Sequence, residues 1–115
     1  GDEVLIAFVQ CIKGLFRNDI DWVARYGGEE FIIALPETNA GGAQTFAERL
    51  RNAIANRVIV SEGKEIRITA SFGVTGFDAD TPEELISSEE LIRIADKSLY
   101  QAKEEGRNRV VTCRL

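Results

Sequence analysis

The sequence predicts an α+β domain in which helices pack on an antiparallel sheet. Three observations carry this expectation. Apolar residues recur at helical spacing in residues 3–16, 38–56 and 87–105. Ile66, Ile68, Ala70, Phe72 and Val74 alternate with Arg67, Thr69, Ser71 and Gly73, the period of a strand with one face on a core. Between the first two helical stretches, two apolar runs flank Gly27-Gly28, as a hairpin requires.

In the first helix, Val4, Leu5, Phe8, Ile12, Leu15 and Phe16 form one buried stripe, with Asp2 ahead of them as the N-cap. The hairpin follows over residues 20–36. Trp22, Val23 and Tyr26 lie on its first strand, Phe31 to Leu35 on its second, and Pro36 ends it. Thr38 or Asn39 caps the second helix, which runs to about Asn56 with Ala43, Phe46, Ala47, Leu50 and Ile54 inward. Residues 66–74 form the next strand, and residues 58–60 can pair with it across a turn near Glu62-Gly63-Lys64. Thr81-Pro82-Glu83-Glu84 reads as a capped helical turn. Ser87 and Glu90 have capping-box spacing before the last helix, which places Leu91, Ala95, Leu99 and Ala102 inward and stops at Gly106. Residues 109–113 form a final strand.

At 115 residues and 44% apolar content the chain has the size of one domain with a single modest core. Its 14 basic and 19 acidic residues give a net charge of −5 and form no basic block. That argues against nucleic acid or an anionic membrane surface as partner, since both need clustered Lys and Arg. A nucleotide held through a divalent cation is compatible, because the cation offsets carboxylate and phosphate charge. Cys11 and Cys113 lack CxxC spacing and read as reduced residues. Histidine is absent, so acid–base chemistry falls to carboxylates, lysine, tyrosine or water. No apolar stretch approaches the roughly 20 residues that span a bilayer, and the start is not a signal peptide. A cytoplasmic protein without membrane insertion is expected.

The segment Arg25-Tyr26-Gly27-Gly28-Glu29-Glu30-Phe31 is the most informative part of the chain, placing two carboxylates and two glycines at the turn of the expected hairpin. Glycine tolerates the positive φ of a tight turn and lets a ligand approach the backbone without meeting a Cβ. Two carboxylates beside two glycines suit metal and phosphate. The same residues also suit a plain hairpin turn with a solvated acidic rim.

This heptad resembles the GG(D/E)EF signature of the diguanylate cyclase (GGDEF) family. Three other blocks resemble the family in the same order. They are Gly1-Asp2-Glu3-Val4-Leu5 before the signature, Ile68-Thr69-Ala70-Ser71-Phe72-Gly73-Val74 after it, and the stretch from Ala95 to Lys103 followed by Gly106-Arg107-Asn108. Together they cover residues 1–115 as one domain, far more specific than a lone GGEEF. The resemblance implies a ferredoxin-like, nucleotide-cyclase palm. It implies that two GTP molecules condense to cyclic di-GMP and pyrophosphate in an antiparallel homodimer, with Mg²⁺ or Mn²⁺ on carboxylates. An upstream sensory or regulatory domain is the expected company.

Residue by residue, Glu29 matches the third signature position, implying metal binding and activation of the 3′-hydroxyl, and Glu30 matches a second metal ligand. Gly27 and Gly28 would admit the phosphates. Lys103 and Arg107 match the triphosphate-binding pair, though a helix C-terminus favours such cations anyway. Asp2 matches the contact to the guanine edge, with an N-cap as the competing role. Arg25 would stabilise phosphate charge or pair with a neighbouring carboxylate. Asp96 is expected in a buried polar contact, Tyr100 in the core, and Trp22 and Phe31 in the core or an interface.

Two departures qualify the match. The family's domain begins with a strand bearing a metal-binding Asp, lying in the sheet between the signature hairpin and the strand of residues 66–74. No segment here matches it. Its loss would leave backbone groups unpaired on both neighbours, at about 1–3 kcal/mol for each one buried without a partner, and a chain so truncated is expected to be inactive alone. Many members also carry an RxxD product-binding motif. Here Asp21 is retained, but Asn18 stands in the Arg position and Arg17 is one residue off. Asparagine lacks the charged fork that grips phosphate, so the inhibitory product site is expected to be absent or weak. The rival to a cyclase is a non-catalytic GGDEF-type nucleotide-binding or dimerisation module.

Overall fold

The computed structural model describes residues 2–115. Helix α1 (Asp2–Gly14) is followed by strands β1 (Trp22–Gly27) and β2 (Glu30–Ala34), then helix α2 (Ala40–Asn56). Short strands β3 (Ile59–Ser61), β4 (Lys64–Ile66) and β5 (Phe72–Val74) come next, then a 3-10 turn at Glu83–Leu85, helix α3 (Ser88–Glu104) and strand β6 (Val110–Thr112). The α+β class holds. The strands form three two-stranded units, with β1–β2 and β3–β4 antiparallel and β5–β6 parallel. A parallel pair needs a crossover connection, and α3 supplies it.

One core joins these parts. Ile12, Leu50 and Ile54 are fully buried, and Phe8, Val23, Ile33, Phe46 and Phe72 pack against them. Phe8 meets Phe31 at a centroid distance of 5.1 Å and Phe16 stacks on Phe46 at 6.0 Å, tying α1 to the hairpin and the segment after α1 to α2. Ser98 and Ala102 of α3 are buried, and Gly73 of β5 lets the backbone of α3 come close. No helix among the described residues is long and apolar enough to cross a membrane.

Several local expectations hold for the stated physical reasons. Asn39 caps α2, its side chain accepting from the Gly42 N–H at 2.9 Å. Ser87 caps α3 by accepting from the Glu90 N–H at 3.1 Å, although Glu90 itself turns to Arg93 rather than back to the cap. Gly106, at φ +123°, ends α3 with a pair of closing bonds: its N–H donates to the Lys103 carbonyl and that of Arg107 to the Ala102 carbonyl.

Others are corrected. The nine-residue strand breaks after Ile66, because Ile66 belongs to a hairpin with Ile59 and only Phe72 to Val74 find a ladder partner, in β6. Alternation marks a half-buried extended chain, but a strand exists only where a neighbour supplies its hydrogen bonds. Thr81 does not cap the turn after it; its hydroxyl accepts from the Asp78 N–H at 3.1 Å, and Pro82 precedes the 3-10 turn without a side-chain bond. Asp2 stands in the first turn of α1 rather than ahead of it, and Gly1 lies outside the described residues. Asp96 is exposed, not a buried polar contact, and Tyr100, at 66% exposure, is not in the core. Trp22 is 51% exposed, whereas Phe31 packs on Phe8 as a core aromatic.

Candidate functional site

The signature segment forms the tip of the β1–β2 hairpin. Trp22 pairs with Ala34 and Arg25 with Phe31, then the register shifts so that Gly27 pairs with Glu30. Gly28 and Glu29 are left as a two-residue turn. Gly28 sits at φ +53°, a region that glycine enters without steric cost, and a Cβ there would meet nothing within 4 Å. Space at this position is open, so the glycine serves conformation and access together.

Around this tip lies a large cleft of about 1100 Å³. Asp2 from the start of α1, Arg25, Gly28, Glu29 and Glu30 from the hairpin, and Lys103 and Arg107 from the end of α3 all line it. Residues roughly 100 positions apart in sequence thus share one surface. Gly27 is not part of that lining. Lys103 Nζ approaches Glu30 Oε1 at 3.9 Å, both groups being half-exposed, so the pair is loose and open to exchange for a ligand. Arg107 and Asn108 have φ of +64° and +48° just beyond α3. The Asn108 amide donates to the Ser71 hydroxyl and its side chain accepts from Arg51, which anchors this strained turn to the residue before β5 and to α2.

Arg25 bonds to the turn itself. Its Nε donates to the Gly28 carbonyl at 3.0 Å, and among the described residues no carboxylate pairs with it. Asp96 lines the same cleft, which helical spacing from Lys103 could have indicated.

No group of three or more His, Cys, Asp or Glu side chains converges at metal-binding distance among the described residues. Glu29 and Glu30 are nonetheless hard oxygen donors at an open turn, and Mg²⁺ keeps several waters and takes only one or two carboxylates. By donor chemistry, Glu29 and Glu30 are the residues that could hold such an ion.

Asp21 is placed away from solvent. Its carboxylate accepts from the Arg17 backbone N–H at 2.8 Å, from Nε, and from Nη2 at 2.6 Å, and its side chain is only 2% exposed. Arg17 also donates to the Pro36 carbonyl at 2.7 Å. This bond network was not legible in the sequence beyond an i, i+4 charge pair.

The cleft also exposes a topological gap. Among the described residues, strand β2 has only β1 as a neighbour and β5 has only β6, yet Ile32 and Ile33 of β2 line the same cleft as Phe72 and Gly73 of β5. Residues 68–70 line the cleft too and have no ladder partner among the described residues.

Comparison with known proteins sets this arrangement in context. Diguanylate cyclase A of Treponema denticola is 44% identical over 110 residues, which cover 96% of this chain and 28% of that protein. Among solved structures, the diguanylate cyclase SiaD of Pseudomonas aeruginosa, in complex with its activator SiaC, has a TM-score of 0.83 at 28% identity, covering 97% of this chain and 41% of that one. The active GGEEF domain of a diguanylate cyclase from Vibrio cholerae has a TM-score of 0.77 at 30% identity, covering 99% of this chain and 69% of that one. The chain spans about a quarter of the length of the curated relatives it matches, 28% and 24% for the first two. The model of the family described as diguanylate cyclase, GGDEF domain, matches residues 1–109, so the hairpin tip, the end of α3 and the cleft between them all fall within it, and the chain belongs to that family.

Proposed function

We propose that this chain supplies the catalytic site of a diguanylate cyclase, which joins two GTP molecules into cyclic di-GMP with release of pyrophosphate. The observation that carries this reading is that Glu29 and Glu30 line one cleft with Lys103, Arg107 and Asp2, and that Lys103 Nζ comes within 3.9 Å of Glu30. Glu29 is the group that accepts the proton of the attacking 3′-hydroxyl. Lys103 and Arg107 hold the triphosphate, and Asp2 meets the guanine edge. The open backbone at Gly28 gives the phosphates room, with Gly27 serving the turn behind it. Mg²⁺ or Mn²⁺ held by Glu29 and Glu30 would supply charge neutralisation at the phosphate under attack. The two nucleotides come from two copies of the chain in a homodimer, within a cytoplasmic protein whose other parts sense the signal.

The domain is proposed to be completed by one more strand, seated between β2 and β5. Support comes from the two strands that each have one neighbour while lining a common cleft. Without that strand the chain is expected to bind nucleotide weakly and to lack turnover, and this favours the second reading, a nucleotide-binding or dimerisation module, for the 115 residues taken alone. Product inhibition through Asp21 is not expected, because Arg17 already occupies that carboxylate. Tight, saturable binding of cyclic di-GMP that Asp21→Ala abolishes would contradict this.

Chromatographic assay of GTP turnover with Mg²⁺ tests the assignment, on this chain and on the longest natural form of the protein, each with Glu29→Ala as control. Cyclic di-GMP from the longer form, lost on Glu29→Ala, supports the cyclase. A folded, dimeric longer form that binds GTP without turnover supports the module instead.

A further inference from the structure

We infer that Arg25 acts as a positioning residue for Glu29, through the peptide that joins Gly28 to Glu29. This rests on the cyclase reading for its consequence, but on the hairpin geometry for its substance.

The two central residues of the turn are Gly28 and Glu29. Gly28 has φ +53° and Glu29 is not in the positive-φ region. Positive φ at the first central residue alone is the sign pattern of a II′ turn; positive φ at both is that of I′. The two forms interconvert by rotating the central peptide, here the one between Gly28 and Glu29. A glycine at the first position permits either form. The second form would carry Glu29 into the left-handed region, which disfavours a residue with a Cβ.

Arg25 Nε donates to the carbonyl of that same peptide at 3.0 Å. Because the peptide is planar and trans, fixing its carbonyl toward Arg25 fixes the Glu29 N–H on the opposite side. The bond therefore sets both the direction of the Glu29 N–H and the exit of the Glu29 side chain from the turn. Arg25 can do this because it lies two residues before Gly27, on the strand position paired with Phe31, whose ring is braced on Phe8 of α1. The other hairpin has no such device: Glu62 and Gly63 both have positive φ, at +53° and +75°. Arg25 thus holds the signature turn in one of its two forms, with Nε as the engaged nitrogen of its guanidinium.

Three variants separate this role from a charge contact. Arg25→Gln keeps an N–H donor at the same number of bonds from the backbone and removes the charge. Arg25→Lys keeps the charge and removes that donor. Arg25→Ala removes both. In the longest natural form of the protein, Ala and Lys are expected to lower kcat about tenfold with little change in KM for GTP, since a displaced reacting group costs rate more than binding. Gln is expected to retain most of the wild-type kcat. An active Lys variant beside an impaired Gln variant, a raised KM with kcat kept, or wild-type kinetics throughout would each overturn the inference.

A second arm does not depend on turnover. In ¹⁵N-labelled chain, the Glu29 amide resonance should move in the Ala variant and stay near its wild-type position in the Gln variant, with the Gly63 amide unmoved in both. An unmoved Glu29 amide in the Ala variant overturns the inference. If the amide follows this pattern while the wild-type protein makes no cyclic di-GMP, the cyclase reading fails and the hold of Arg25 on the turn stands.

Discussion

Arg17 grips Asp21 through its backbone N–H and two guanidinium nitrogens, and then reaches on to the Pro36 carbonyl and the Thr38 hydroxyl. One side chain thereby ties the end of α1, the entry to β1 and the loop before α2. These are the elements that hold the signature hairpin against the core.

Asp21→Asn is expected to destabilise the fold by roughly 1–2 kcal/mol, because hydrogen bonds to a charged carboxylate are lost from a shielded position. Urea denaturation at neutral pH measures this. A change within experimental error would mean that the network is incidental.

The same pair gives a pH dependence. The side-chain hydrogen bond from Arg17 holds the Asp21 carboxyl below its ordinary range, opposed by burial and aided by the Arg17 backbone bond. A depressed folded-state pKa adds stability that is full above the unfolded-state value and is lost as pH falls through the folded-state one. Stability should therefore decline with acid below about pH 4. Glu90, lowered chiefly by its hydrogen bond from Arg93, titrates in the same direction. The decline should be shallower in Asp21→Asn, as read from denaturation midpoints across pH.

Gly73→Ala should prevent stable folding. A Cβ on Gly73 would lie 2.0 Å from the Ala95 carbonyl oxygen and 2.3 Å from the Leu99 nitrogen, both in the backbone of α3. Backbone cannot step aside as a flexible side chain does, so overpacking here should exceed the usual cost of about 1–3 kcal/mol. Circular dichroism melting checks it; a variant that melts near wild type would refute the close approach of β5 to α3.

Gly28→Ala tests conformation without a clash. Nothing lies within 4 Å of the added Cβ, so the expected cost of about 1 kcal/mol comes from φ +53° alone. In the longest natural form of the protein, turnover should fall more than stability, because the turn carries Glu29.

In the longest natural form of the protein, Glu29→Gln should lower GTP turnover by at least about 100-fold while leaving the melting temperature unchanged, as the proposed proton transfer by an exposed turn residue requires. Retained turnover would remove Glu29 from the chemistry.

The sequence by itself determined the local elements. Helical spacing marked α1, α2 and α3; Asn39, Ser87 and Gly106 marked their ends; and Gly27-Gly28 marked the hairpin. Each rests on interactions within a few residues, which is why they were legible. Family resemblance also marks Glu29, Glu30, Lys103 and Arg107, which line one cleft. Only the tertiary structure decided the rest. Residues 66–74 carry the alternation of one strand, yet pairing divides them between the β3–β4 hairpin and the parallel β5–β6 pair. Asp96 and Tyr100 share a helix with buried Ser98 and Ala102, but face solvent. Arg25 was legible as a charge, whereas its hold on the Gly28 carbonyl depends on a register shift that brings the turn back over it. Local sequence sets which conformation a segment prefers; partners distant in the chain set which hydrogen bonds and which faces it ends up using.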